Sequence, residues 1–205
     1  ARPDYGWLSE ESEDTDERLT RRRIWVVDPI DGTNSYLNGV PEFAVSVALI
    51  EDGAALLGVV FNPAQDQLFE AVRGGGAYLN GAKISVTDNS QRKGLSILAS
   101  RSEHREAGWP ERFGADNVHA MSSIAYKLAL VAAGRFDATA SAWPKADWDI
   151  CAGCLLVTEA GGQVSSIGGK PFIFNQERPL HPTSLASNGH LHAALIEELQ
   201  EWAEK

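Results

Sequence analysis

The sequence predicts an α/β (α+β) protein made of two subdomains that meet near residue 93. Three observations point there. Up to about residue 90, short β-branched and aromatic runs alternate with turn residues, the pattern of a mostly antiparallel sheet. Beyond that point, apolar stripes with helical spacing alternate with short strands. A polar, turn-rich stretch, "TDNSQRKG", divides the two patterns. The boundaries read as 1–93 and 94–205, with no internal repeat and no low-complexity linker. The 205 residues, 43% of them apolar and 22% charged, suffice for a core of ordinary globular composition.

Taken in order, "LSEESEDTDERLTRRR" is an acidic run followed by a basic one, and reads as a solvated face or mobile loop. "IWVVD" reads as a short buried strand broken by Pro29. "FAVSVALIEDG" alternates Phe43, Val45, Val47 and Leu49 with smaller residues, a half-buried strand closed by a turn. "ALLGVVFNPAQDQLFEAV" reads as two strands about "NPAQD", and "RGGGAYLNGAKISV" as a hairpin turning at Asn80-Gly81. In the second half, "LSILAS" and "FDATAS" are strands, and "SSIAYKLALVAAG" is a helix stopped at Gly134. "DWDICAGCLLVTEAGG" is a helix opened by Asp and closed by Gly-Gly. "QVSS" and "PTSLASN" are short strands, and "LHAALIEELQEWAEK" is a terminal amphipathic helix.

The formal net charge of -10 disfavours a nucleic-acid polymer as partner, because both would be anionic. It does not disfavour small phosphorylated metabolites, since carboxylates hold divalent cations and those cations hold phosphate. No run approaches the ~18 apolar residues of a membrane-spanning helix, so no membrane role is expected. Ala1 opens in what reads as a loop, with neither a Met nor a signal segment, and an upstream piece is expected. The two cysteines, Cys151 and Cys154 in "CAGC", read as small apolar residues on one helical face; a redox pair or half a zinc site are the other readings. Two thiols without a wider disulfide framework point to a reducing cytoplasm.

"WVVDPIDGTNSY" carries the chemistry. Pro29 stiffens the chain between Asp28 and Asp31 at a strand end. Two carboxylates so close repel each other unless a positive charge lies between them, and a hard divalent cation with oxygen ligands fits that place. Gly32 allows a sharp turn and close approach of an anion, while Thr33 offers a hydroxyl and an N–H as a phosphate cradle. Asp-Gly alone would read as a common turn; the full D-P-I-D-G-T behind an apolar strand reads as a site.

That segment resembles the first signature of the inositol monophosphatase superfamily. "WDICAG", Trp148 to Gly153, resembles its second, and "SEES", Ser9 to Ser12, resembles its upstream G-E-E-S element with Ser9 in place of Gly. The resemblance covers essentially the whole chain. It implies a layered αβαβα sandwich of the sugar-phosphatase type and a metal-dependent phosphomonoesterase. Carried over by position, it implies Glu10, Asp28, Asp31 and Asp149 as carboxylate ligands and the Ile30 carbonyl as a main-chain ligand. Asp28 would bridge two ions, with Glu10 on the first and Asp31 and Asp149 on the second. Gly32 and Thr33 would bind phosphate, and the Thr33 hydroxyl would orient the attacking water. The implied cofactor is Mg²⁺, as two or three ions, with Mn²⁺ as a substitute and Li⁺ and Ca²⁺ as inhibitors. No covalent phospho-enzyme, and so no nucleophilic side chain, is expected. The expected partners are a small phosphorylated metabolite and a second copy of the chain in a homodimer.

Two departures bear on substrate. The family's upstream helix, and an Asp there that pairs with the threonine hydroxyl, have no counterpart in the sequence. The inositol branch places a glutamate seven residues before the W-D aspartate, and here that position is Ala142. "ASRSE" and "SSIAYKLALVAAG" resemble the 3'(2'),5'-bisphosphate nucleotidase branch, in which Arg101 and Lys127 would bind a second phosphate, with Ser123, Asp31 and Asp149 also at the substrate. An ion pair for Arg101 and a snorkelling helix position for Lys127 are the competing readings. "GTNSYLNGVPEFAVSVAL" resembles the inositol branch instead. The first expectation is 3'-phosphoadenosine 5'-phosphate or a related bisphosphate. Inositol 1-phosphate comes next, then sugar phosphates or histidinol phosphate. A cation-binding regulator without catalysis is the reading from another class.

Overall fold

The structure, a computed structural model, describes residues 4–202. A seven-stranded sheet holds β1 (Gly6–Ser9), β2 (Arg23–Asp31), β3 (Ala44–Glu51), β4 (Ala54–Asn62), β5 (Gln67–Val72), β6 (Gly76–Leu79) and β7 (Ala82–Ile84), side by side in chain order. Neighbours pair antiparallel, except that β1 lies parallel to β2. A short helix, α1 (Thr33–Leu37), links β2 to β3. The second half contains β8 (Ile97–Ala99), α2 (Arg101–Glu106), α3 (Trp109–Phe113), β9 (Val118–Ala120), α4 (Ile124–Ala132), β10 (Ala138–Ser141), β11 (Lys145–Ala146) and α5 (Asp147–Glu159). It ends with β12 (Gln163–Ser165), β13 (Leu180–His181), β14 (Ser184–Ser187) and α6 (His192–Leu199). Its mixed five-stranded sheet runs β12-β14-β10-β8-β9, and β11 pairs with β13 separately.

Helices α4 and α5 pack together and contact both sheets, and α6 packs against β14. The described residues thus form the layers sheet, helix pair, sheet, helix. The strands, hairpins and main helices predicted from sequence are present, including the Asn80-Gly81 turn, where both residues have positive φ of 49° and 78°; the predicted terminal helix is α6 followed by a 3₁₀ turn, and its last residues, 203–205, lie outside the described residues.

Three expectations are corrected. The first strand does not break at Pro29; β2 runs to Asp31, and its register with β3 shifts between Asp28 and Asp31. A proline has no N–H to donate, so a strand tolerates it where pairing is irregular. The acidic-basic stretch is not wholly solvated, because a 3₁₀ turn at Asp16–Thr20 buries Arg18. In β3 the faces are reversed from the expected sense. From Ala44 to Ala48 the small residues Ala44, Ser46 and Ala48 are buried and Val45 and Val47 only half-buried, while beyond them Leu49 and Ile50 are both buried. The cause is steric. A Cβ on Gly58, cross-strand from Ala48, would lie 2.8 Å from the Ala152 carbonyl oxygen of α5. A Cβ on Gly153 would lie 2.5 Å from Leu128 of α4. The helix pair lies so close to the sheet that only small residues fit the seam.

His192 is buried at the start of α6, with its ring nitrogens 2.9 Å from the hydroxyls of Ser165 and Ser187. Ser165 also donates to the Ser166 carbonyl. Burial lowers the His192 pKa. The folded state therefore holds the neutral ring; its contribution is intact above the unfolded value of about 6.5 and is lost as pH falls from there through the folded value. In His192→Gln, denaturant titrations between pH 7 and pH 5 should show a shallower loss of stability than in the wild type. For the seam, Gly153→Ala should cost ~1–3 kcal/mol by overpacking. At about 2–4 °C per kcal/mol for a chain of this size, calorimetry would register it as a clear fall in Tm.

Candidate active site

Two segments bring three carboxylates to one place. Asp28 and Asp31 lie at the irregular end of β2, and Asp149 lies in the first turn of α5. Oxygens of all three fall within 4.8 Å of one another, the one such cluster of ligand-type side chains among the described residues. Each carboxylate is also held by the protein. Asp28 accepts the Ile30 N–H at 2.9 Å. Asp31 accepts the Ser123 hydroxyl at 2.7 Å and the Ala125 N–H at 2.6 Å, both from the start of α4. Asp149 accepts the Ala146 N–H at 2.7 Å, which closes the end of α5 from the third helical position. Ala146 has no side-chain acceptor, so Asp149 alone makes this cap, and its second oxygen is left for other work.

Ser46 locks the arrangement together. It pairs with Asp28 across the sheet, and its hydroxyl donates to the Trp148 carbonyl at 3.0 Å, next to Asp149. Ser123 holds a positive φ of 41° while it caps α4 and donates to Asp31, a strained backbone at the site.

Burial and mutual repulsion drive the acid groups toward their neutral forms. Desolvation, then the charges of Asp31 and Glu10, push Asp28 up to about 8. Desolvation, then Asp31, push Asp149 up to about 7. Asp31 is raised by desolvation despite its hydrogen bonds. The donor set is all oxygen, crowded and short of positive charge, which suits a hard divalent cation.

Glu10 stands apart. It sits on the exposed turn after β1 and is not in the three-carboxylate cluster, although its charge acts on Asp28 and Asp149. Gly32 takes φ of 91° at the head of α1, where a Cβ would lie 2.8 Å from the Glu42 carbonyl oxygen. The Thr33 hydroxyl donates to the Ile30 carbonyl at 3.1 Å. Arg101 pairs with Glu42 at 2.6 Å, and Glu42 also accepts the Ser122 N–H. Lys127 is buried in α4; it donates to the Met121 carbonyl at 3.3 Å, and desolvation lowers its pKa to about 8.

Cys151 and Cys154 are free and buried on α5, with thiols raised by desolvation, so they stay protonated and unreactive.

Sequence reasoning missed four residues here: Ser46, Glu42, Lys145 and Glu103. Lys145 lies on β11 just ahead of α5, and its charge acts on Asp31 and Asp149. Glu103 is fully buried and accepts from the Ser100 and Ser141 hydroxyls and the Ala142 N–H. A signal for Glu103 did exist: Ser100 to Glu103 spells S-x-x-E, a capping box, and Ser100 accepts the Glu103 N–H at 3.1 Å.

A mixed α/β sandwich with this carboxylate cluster defines a phosphoric monoester hydrolase class. The chain belongs to the inositol monophosphatase family, whose family model matches residues 1–204. It is 39% identical over 215 residues to the inositol-1-monophosphatase of Rhizobium meliloti, covering 98% of this chain and 76% of that one. Among solved structures it resembles the IMPase of Thermotoga maritima with a TM-score of 0.83 and 32% identity, over 99% of this chain and 77% of the other. It also resembles SaIMPase-II solved with 2'AMP bound, with a TM-score of 0.85 and 25% identity, over 99% of this chain and 78% of the other.

The raised Asp28 and Asp149 values carry a testable sign. A carboxylate raised in the folded state gives stability that is full below its unfolded value and lost as pH rises through its folded value. In chelator, stability should therefore decline between about pH 4 and pH 8. Added Mg²⁺ should restore it, with the largest rise in Tm at the alkaline end. A Tm gain independent of pH would show that these acids are not what the cation relieves.

Proposed function

We propose that this chain hydrolyses small phosphomonoesters with Mg²⁺ held by Asp28, Asp31, Asp149, Glu10 and the Ile30 carbonyl. The observation that carries the reading is the cluster of Asp28, Asp31 and Asp149 within 4.8 Å, drawn from two separate elements and held by backbone and hydroxyl donors. Divalent ions bound there supply Lewis-acid charge to the phosphoryl group and make a water nucleophilic at neutral pH. The protein supplies position. Asp28 feels the charges of Asp31, Glu10 and Asp149 and would share in holding more than one ion. The Thr33 hydroxyl spends its proton on Ile30, so its lone pairs can accept from an incoming water and orient it. The N–H groups of Gly32 and Thr33 open α1 and have no earlier turn to bond, which leaves them for phosphate oxygens.

For substrate, a monophosphate of a polyol or nucleoside is favoured. Arg101 could reach a second phosphate only by leaving Glu42, and Lys127 is buried with its ammonium on the Met121 carbonyl. The similarity to the inositol-1-monophosphatase of Rhizobium meliloti and to SaIMPase-II with 2'AMP bound supports a monophosphate as well. The bisphosphate nucleotide remains the second reading, since Lys127 and Lys145 both act on Asp31. A cytoplasmic homodimer, inhibition by Li⁺ and Ca²⁺, activity with Mn²⁺, and a subdomain boundary near residue 93 belong to the same proposal.

The test is phosphate release by the full chain from inositol 1-phosphate, 2'-AMP and 3'-phosphoadenosine 5'-phosphate. Activity should need Mg²⁺ and stop in excess chelator; equal rates in chelator overturn the reading. Asp28→Asn should cut kcat by more than the ~10–100-fold that outer-shell changes cost metal sites. Lys127→Ala should leave the ranking of the three substrates unchanged. A selective loss on the bisphosphate would move the assignment to the nucleotidase branch.

A further inference from the structure

Glu10 belongs to an arm between β1 and β2 that contains only turns and one 3₁₀ segment. Arg18 anchors that arm. It is 2% exposed although most of its neighbours in sequence are exposed. Its Nε and Nη2 donate to the two oxygens of Asp14 at 2.6 and 2.9 Å. Its Nη1 donates to Asn175 Oδ1 at 2.7 Å and to the Gln176 carbonyl at 3.0 Å, and Nη2 to the Glu177 carbonyl at 3.3 Å. Five donors make five bonds, the condition under which a buried guanidinium is tolerated.

Asp14 alone would hold Arg18 within its own turn. The other three bonds reach a strap, Asn175 to His181, that is bonded on its far side to the active-site helix. The Asn175 N–H donates to Asp147 Oδ2 at 2.7 Å, and His181 Nε2 lies 2.7 Å from Asp147 Oδ1. The Asp147 N–H donates to the Pro179 carbonyl at 3.1 Å. Phe172 and Phe174 pack edge-on against the His181 ring at 4.9 and 5.5 Å between centroids. Asp147 is fully buried, opens α5 and stands two residues before Asp149. One strap therefore ties the arm that carries Glu10 to the helix end that carries Asp149.

We propose that Arg18 is a positioning residue of the metal site: through the Asn175–His181 strap it sets the Glu10 arm at a fixed distance from the head of α5. The proposal rests on the ligand roles assigned above to Glu10 and Asp149. It divides the site into two parts. Asp28, Asp31 and Asp149 are held by their own N–H and hydroxyl donors, independently of Arg18. Glu10 is fixed on its near side by β1, where Ser9 pairs with Val27, and on its far side by the latch. A lysine cannot replace Arg18, because a point charge cannot grip Asp14 and span to three acceptors on the strap.

The experiment is calorimetric titration of Mg²⁺ into the full chain, with circular dichroism to confirm folding. Glu10→Gln first identifies which binding event Glu10 serves; if no event changes, Glu10 is not a ligand and the proposal falls with that role. Arg18→Lys should weaken the same event by about 10- to 100-fold and leave the remaining binding within about two-fold of wild type. Equal weakening of all events, or none in a folded protein, overturns the latch. Should Arg18→Lys fail to fold, Asn175→Ala, which keeps the Arg18–Asp14 pair, should weaken the Glu10-dependent event alone, and no change there overturns the proposal. Wild type that binds Mg²⁺ but releases no phosphate would defeat the functional reading and leave this test standing.

Discussion

The close approach of α5 to the seven-stranded sheet is the constraint on which the rest depends. Asp149 comes within reach of Asp28 because α5 lies close on the sheet, with the Ala152 backbone against Gly58. Gly58 under Ala152, Gly153 against Leu128, and the Ala44, Ser46 and Ala48 face of β3 remove the bulk that would lift the helix away. The same contact lets Ser46 bond the Trp148 carbonyl. The seam is thus packing and catalytic geometry at once, and the W-D-x-x-A-G pattern makes physical sense. Under the proposed function its Asp is the ligand, while its Ala lies against Gly58 of the sheet and its Gly against Leu128 of α4.

The seam forces a cost elsewhere. Three carboxylates sit in a poorly solvated place, and among the described residues no side-chain cation pairs with any of them. The chain answers with dipoles rather than charges. N–H groups of Ile30, Ala125 and Ala146 and the hydroxyl of Ser123 each bind one oxygen. These donors fix orientation but do not cancel repulsion, which is why burial and neighbouring charge still push the acids upward. A salt bridge would have stabilised the fold and closed the site to metal. Under the proposed function, the arrangement gives up stability without metal for affinity toward a divalent ion.

Local rules made much of this legible. Turn chemistry located the Asn80-Gly81 hairpin, periodicity located α4 and α5, and a short stiff Asp-Pro-x-Asp at a strand end announced crowded carboxylates. The illegible parts are contacts between distant segments. Nothing within the acidic-basic run tells that Arg18 turns inward, because its three strap partners lie at 175 to 177. Glu42 is a plain residue in sequence until Arg101 and the Ser122 N–H meet it. In β3, alternation correctly indicated a strand but misled about its faces. Size usually marks the buried side, and here the helix demands the opposite. Pro29 misled for a related reason: a strand that loosens its pairing at a ligand site accepts a residue that would break a regular one.

The sign of the charge also orders events at the site. A chain of net charge -10 with an acidic cluster repels a phosphate dianion as approached from water. Arg101 and Lys127 do little to reverse this, the first paired with Glu42 and the second buried and drawn toward its neutral form. Lys145 is nearer the cluster in effect, yet its ammonium is turned to the Trp143 and Pro144 carbonyls. Under the proposed function, local attraction for phosphate would begin only with cations on the carboxylates, which would invert the field around Gly32 and Thr33. Under the proposed function, metal precedes substrate for electrostatic reasons, and the backbone donors of α1 become an effective phosphate cradle only after that inversion.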